Sequence, residues 1–115
     1  MKEKVFENRV KEYLKDNGCW VLKTWSNGIQ REGVPDLLVC CNGWFLGIEL
    51  KNEVGKPSKL QLLNIKNIIN AGGFAFTLYP DQFEEFKEFI FGLMHGMNYL
   101  SAYKMVKDFN ERNKK

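Results

Sequence analysis

The apolar positions of this chain change their period several times. Between residues 3 and 16, Phe6, Val10, Tyr13 and Leu14 fall on one stripe at helical spacing, and Asn17-Gly18 ends the segment. The run from Cys19 to Trp25 is aromatic and β-branched and reads as a strand. A polar stretch with two glycines, 26–33, reads as a loop. Strands at about 35–41 and 44–51 then flank Asn42-Gly43, the strongest short-range hairpin signal, because both residues accept positive φ. These strands carry apolar residues on both faces: Leu37, Val39, Leu46, Ile48 and Leu50 on one, Leu38, Cys40 and Phe45 on the other. Helices are therefore expected over both sides of the sheet.

After a polar loop (52–57) a helix at about 59–70 is expected to turn Leu60, Leu63 and Ile68 inward, and Ala71-Gly72-Gly73 ends it. A fourth strand, 74–79, stops at Pro80; the intervening helix makes it parallel to the third. Two helical patterns follow, 81–94 with Phe83, Phe86, Ile90 and Leu93, and 98–110 with Leu100, Tyr103, Val106 and Phe109, before a tail expected to fray. The order α-β-β-β-α-β-α-α describes an α/β fold, a small mixed sheet flanked by helices. A single domain is expected over 1–115, with its core at about 3–80 and extra C-terminal helices at about 81–112.

Composition narrows the classes. With 115 residues, 44% hydrophobic and 14% aromatic, the chain can bury a core, and disorder is excluded. No apolar run approaches the roughly 20 residues of a membrane helix, and no secretory signal opens the chain, so no membrane partner is expected. Cys19, Cys40 and Cys41 are an odd set, read as reduced thiols in the cytoplasm, with the vicinal pair on opposite strand faces. With one histidine, they do not supply the ligand pairs of a zinc site. The net charge of +3 permits a nucleic-acid partner without arguing strongly for one.

Candidate chemistry comes from the hairpin register. If Asn42 and Gly43 are the two loop residues, strand partners have numbers summing to 85, and Asp36 lies opposite Glu49. Such partners hold their Cβ atoms roughly 4.5–5.5 Å apart, where like charges repel. Lys51, two residues beyond Glu49, shares its face. Two carboxylates held together on an apolar sheet are costly unless a cation joins them. A divalent metal would use both, and phosphodiester hydrolysis would use all three residues.

Gly33-Val34-Pro35-Asp36, Glu49-Leu50-Lys51, the helix start Pro57-Ser58-Lys59-Leu60-Gln61 and Ala71-Gly72-Gly73-Phe74 together resemble the PD-(D/E)xK nuclease superfamily. Within it, the chain is similar to the VRR-NUC group of virus-type replication-repair nucleases and, in style, to archaeal-type Holliday junction resolvases. The resemblance covers about residues 3–80 and implies a restriction-endonuclease-like core of αβββαβ order. It implies Asp36 and Glu49 as metal ligands, with the Leu50 carbonyl often completing the site, Lys51 as the catalytic lysine, and Mg²⁺ as the cofactor, with Mn²⁺ able to substitute. The metal would polarise the scissile phosphate and acidify an attacking water, and Lys51 would orient that water or neutralise developing charge.

The resemblance further implies a metal-binding glutamate on the first helix, where Glu7 fits and Glu3 and Glu12 are rivals, and a catalytic glutamine at Gln61. Ser58-x-x-Gln61 is equally a capping box. Lys23, Ser26, Gln30, Arg31, Lys56 and Lys59 are candidates for nucleic-acid contact. The implied function is a metal-dependent DNA endonuclease acting in replication, repair or recombination. It is expected to select branched or nicked DNA, in the cytoplasm at the nucleoid, with a phage-encoded origin also open. A homodimer joined through 98–110 is an option. The alternatives are a catalytically silent member that binds nucleic acid or protein, and a sequence-preferring restriction-type nuclease.

Overall fold

A computed structural model of the protein describes residues 2–25 and 32–113. Its elements are α1 (Glu3–Asp16), β1 (Trp20–Lys23), β2 (Leu37–Cys41), β3 (Trp44–Leu50), α2 (Lys59–Asn70), β4 (Phe74–Leu78), a 3₁₀ turn (Pro80–Gln82), α3 (Phe83–Met94) and α4 (Tyr99–Arg112). The strands form one sheet in the order β1-β2-β3-β4. β1, β2 and β3 are antiparallel neighbours, and β4 runs parallel to β3 after the α2 crossover.

Asn42 and Gly43 form the hairpin turn with φ of 51° and 87°, the pair of positive values a two-residue type I′ turn needs. The register runs without a bulge from Cys41↔Trp44 to Leu37↔Ile48. One step further along it brings Asp36 beside Glu49.

Strand alternation gives the sheet two unlike faces. One carries Leu37, Val39, Cys41, Leu46, Ile48, Leu50, Phe74, Phe76 and Leu78, and closes against Phe6, Val10 and Leu14 of α1, Phe86, Phe89, Ile90 and Leu93 of α3, and Ala102, Val106 and Phe109 of α4. Phe76 stacks on Phe109 with ring centroids 5.0 Å apart. Each such fully buried side chain contributes about 1.5–3 kcal/mol.

The other face also carries a helix, as expected, but α2 covers it only in part. α2 packs on β3 and β4, while Trp20, Leu22, Cys40 and Phe45 remain exposed toward the β1–β2 side. α2 is also rotated from the expected face: Asn64 and Ile65 are buried, whereas Leu60 and Leu63 are exposed. The reason is the segment that leads into β2. A Cβ on Gly33, whose φ is +80°, would lie 2.7 Å from Leu60 Cγ and 2.9 Å from Asn64 Nδ2. The helix thus leans on this backbone, and the Asn64 amide donates to the carbonyl of Leu60 at 3.0 Å and of Glu32 at 3.4 Å.

In α4 the buried stripe is Ala102, Val106 and Phe109, so Leu100 and Tyr103 lie outside it. That stripe enters the protein's own core and is not free to join two copies. The tail is better held than expected as far as Asn113. The Arg112 guanidinium pairs with Glu85 at 2.6 Å, and the Asn113 amide donates to the Thr77 carbonyl. No helix among the described residues is long and apolar enough to cross a membrane. Cys40 is exposed and Cys41 buried, as alternation requires, and all three thiols are free.

Candidate active site

Asp36 stands immediately before β2, and its peptide is fixed from two sides. Pro35 lies flat on the sheet because β3 carries Gly47 beneath it: a Cβ there would come within 3.1 Å of Pro35 Cγ and 2.9 Å of Ile68 Cδ1. The Thr24 hydroxyl donates to the Pro35 carbonyl at 2.9 Å, and the Thr24 N–H donates to the Asp36 carbonyl at 2.9 Å. Across the hairpin, the Asp36 N–H donates to Glu49 Oε1 at 3.2 Å, and Asp36 Oδ2 accepts from the Leu50 N–H at 2.9 Å. Each acidic residue therefore has its backbone or its neighbour's backbone bound by the other's carboxylate. This reciprocal clamp sets both side chains at the end of the hairpin.

Lys51 continues past β3, where its N–H donates to the Leu78 carbonyl at 3.1 Å. Its Nζ lies 3.4 Å from Glu49 Oε2, so the two share a face as alternation requires. The following loop folds over the lysine stem. The Asn52 side chain accepts from the N–H groups of Val54 and Gly55 at 3.1 and 2.8 Å, and Tyr79 donates its hydroxyl proton to the Gly55 carbonyl at 2.8 Å. A Cβ on Gly55 would sit 3.2 Å from Lys51 Cδ. Thr24, Asn52, Gly55 and Tyr79 thus support the site, and reading the sequence did not single them out. Asn52 and Gly55 carry the signal of an Asx turn, but Thr24 and Tyr79 carry none that is local.

Electrostatically the site is out of balance. Glu49 is only 2% exposed. Its burial, followed by the charge of Asp36, outweighs Lys51 and pushes its carboxyl up to about 7. A divalent cation would relieve that crowding. Among the described residues, no three His, Cys, Asp or Glu side chains converge on one point. An ion here would meet two carboxylates and would need a backbone carbonyl, water or substrate oxygen to complete its shell. That donor set suits Mg²⁺, which keeps several waters and binds through one or two carboxylates plus substrate phosphate.

Glu7 lies on α1, buried to 5% exposure. Its Oε1 is 2.8 Å from Lys23 Nζ, and its Oε2 lies 3.2 and 3.3 Å from the ammonium groups of Lys4 and Lys11. Burial pushes this carboxyl up, but Lys23, Lys4 and Lys11 outweigh it and hold it at about 2. Lys23 also reaches Asp36 Oδ1 at 3.6 Å, which links the first helix to the hairpin.

The other anticipated residues are more dispersed. Gln61 forms the capping box, accepting from the Ser58 N–H at 2.8 Å while its own N–H donates to Ser58 Oγ at 3.1 Å. None of these bonds touches Asp36, Glu49 or Lys51. Lys56 and Lys59 are exposed at the start of α2. Ser26, Gln30 and Arg31 lie outside the described residues. Cavities of about 570 and 350 Å³ open elsewhere, the first between α2 and α4 over Thr77 and the second beside the 3₁₀ turn. Asp36, Glu49 and Lys51 line neither.

The comparisons with known proteins agree on one type of nuclease. The profile of the archaeal Holliday junction resolvase (Hjc) family matches residues 1–77. Among solved structures, one described as a VRR_NUC domain superposes with a TM-score of 0.60 at 26% identity, covering 84% of this chain and 97% of that one. No curated protein sequence gives a significant match. The four-stranded mixed sheet with its flanking helices agrees with the restriction-endonuclease-like fold of these proteins. The family match extends from α1 through the hairpin and α2 into β4, and so spans every residue of the clamp: the chain belongs to the archaeal Holliday junction resolvase family, of the PD-(D/E)xK nuclease type.

Proposed function

We propose that the protein is a Mg²⁺-dependent endonuclease that hydrolyses phosphodiester bonds in branched DNA. The observation that carries this reading is the clamp itself. Glu49 accepts from the Asp36 N–H and Asp36 from the Leu50 N–H next to Glu49, Lys51 sits 3.4 Å from Glu49, and Glu49 is buried without enough cation nearby. Asp36, Glu49 and the Leu50 carbonyl would hold the ion, which when bound would polarise the phosphate and acidify a water. The chain's own residues do the rest. Lys51, its stem packed by the 52–55 loop, keeps an ammonium beside the reacting phosphate and compensates charge as it builds. The clamp holds the two carboxylates at a fixed separation, so that little reorganisation accompanies the reaction. The site is not enclosed in either cavity, which fits a polymeric substrate lying across the end of the sheet.

The membership of a junction-resolvase family supports a branched substrate, and such a substrate suits a two-fold dimer cutting two strands symmetrically. Because α4 spends its apolar stripe internally, the open sheet face bearing Trp20, Leu22 and Phe45 is the better surface for a second copy. Sedimentation at working concentration should give twice the chain mass, and a monomer there would remove the dimer from this reading.

The deciding assay uses labelled four-way junctions, flaps, nicked and plain duplex and single strands, with Mg²⁺ or with EDTA. Cleavage of junctions in Mg²⁺, absent in EDTA and in Asp36→Ala and Lys51→Ala, is expected. Failure to cut any of these in Mg²⁺ or Mn²⁺ would reject the enzyme. Undiminished cutting by Asp36→Ala would reject the site.

A further inference from the structure

The arrangement around Glu7 does not resemble a vacant metal ligand. Both carboxylate oxygens are already engaged, Oε1 by Lys23 and Oε2 by Lys4 and Lys11. Lys4 is largely exposed and its pair is weak. For Glu7 to meet an ion through Oε1, however, it would have to release the half-buried Lys23, the counter-charge of a residue only 5% exposed. Lys23 has the opposite character. It stands at the end of β1, one residue before Thr24 binds the Asp36 carbonyl, and lies 2.8 Å from Glu7 but 3.6 Å from Asp36. It is held firmly at one carboxylate and loosely at the other.

We propose that Glu7 is a positioning residue that anchors Lys23, and that Lys23 is the resident counter-ion of Asp36, which a divalent cation displaces from that carboxylate when it binds. The inference rests on the metal reading of Asp36 and Glu49 given above. Lys23 neutralises Asp36 while the site is without metal and so keeps the clamp from flying apart by repulsion between Asp36 and Glu49. Once an ion takes over that task, Lys23 stays on Glu7 with its charge turned toward the site, free to meet a phosphate. The first helix then acts on the hairpin through one lysine and without coordinating the ion.

The test measures Mn²⁺ binding to the full chain, without nucleic acid, by the loss of the free-ion electron paramagnetic resonance signal. Lys23→Gln should bind Mn²⁺ about 5- to 10-fold more tightly than wild type, the order of effect a unit charge near 4 Å exerts in a largely hydrated site, and Lys23→Arg should stay near wild type. Glu7→Gln should bind several-fold more weakly, because Lys23 released from Glu7 pairs with Asp36 alone. The double variant Glu7→Gln/Lys23→Gln should return to wild-type affinity or better. A double variant as weak as Glu7→Gln would make Glu7 act on the ion itself and overturn the proposal, as would an unchanged affinity in Lys23→Gln. Should Glu7→Gln fail to fold, Lys23→Gln and Lys23→Arg still decide it. Asp36→Asn separates the two levels. If wild type binds Mn²⁺ and Asp36→Asn does not, the metal site stands whatever Lys23 does; if wild type binds none, the metal reading and this proposal fall together.

Discussion

Ile48 and Glu49 are consecutive residues of one strand, yet they face different worlds. Ile48 points into the face that α1, α3 and α4 close completely, where it is one of a contiguous set of buried apolar side chains. Glu49 points to the face that only α2 covers, where it is equally buried but shares its surroundings with Asp36 and Lys51. The closed face can fix the strands in place because the residues β2, β3 and β4 turn to it are all apolar. The ion pair of Lys23 with Glu7 lies at its β1 border. The half-open face can carry charge because the other has already secured the fold. Stability and chemistry are thus assigned to alternate residues of the same strand, and substitutions on β3 should separate them cleanly.

The largest effect expected from that separation is on catalysis alone. Asp36→Ala should reduce the rate of junction cleavage by about 10³-fold or more, an amount typical of removing a preorganised electrostatic group, while the thermal midpoint changes little; a large fall in the midpoint would mean that the clamp also holds the sheet together. On the closed face, Ile48→Ala should cost about 2–5 kcal/mol in urea unfolding through the cavity it leaves, with cleavage per folded molecule within a few-fold of wild type. A comparable loss of cleavage below the unfolding transition would blur the two faces.

Glu49 offers a change of opposite sign on the two properties. In metal-free protein its carboxyl ionises near 7 in the fold against 4.5 as an ordinary group. The fold therefore binds this proton more tightly than the unfolded chain, and its contribution to stability is lost as pH rises from about 4.5 through about 7. Glu49→Gln should abolish cleavage yet be more stable than wild type at pH 8 in EDTA, by about 1–2 kcal/mol, and should flatten that part of the pH profile. A less stable Glu49→Gln would show that the carboxylate is structural. Smallest is the capping box: Ser58→Ala should cost about 1 kcal/mol and leave cleavage nearly unchanged. If Gln61→Ala lowers cleavage far more than Ser58→Ala at equal stability, Gln61 serves the substrate as well as the helix.

Much of this was legible in the chain. Asn42-Gly43 dictated the turn, the turn dictated the register, and the register brought Asp36 to Glu49 with Lys51 on the same side. Local rules sufficed there because the signal lies within about fifteen residues. They failed where distant segments compete for a surface. Leu60 and Leu63 satisfy the helical period, but the backbone at Gly33 takes the space against α2 and turns Asn64 and Ile65 inward. Leu100 and Tyr103 likewise fit the stripe of α4, whose packing on β4 selects Ala102, Val106 and Phe109 instead. The bare β1–β2 half of the sheet had no local signature at all, since its residues are as apolar as those of the covered half. Thr24 escaped notice for a related reason: its hydroxyl acts on a peptide eleven residues away.

Asn110 of α4 and Asn113 at its C-terminal cap have a consequence for where the protein can be cut. β4 is an edge strand, and Asn110 and Asn113 donate to the carbonyls of Ala75 and Thr77, the groups that would otherwise invite another strand. The family match ends at residue 77, before the helix that performs this sealing. A fragment trimmed to the matched region would keep every residue of the clamp and lose its lid on that border. It would present to its neighbours the unpaired outer edge of an apolar strand running from Phe74 to Thr77, the kind of edge that seeds edge-to-edge assembly.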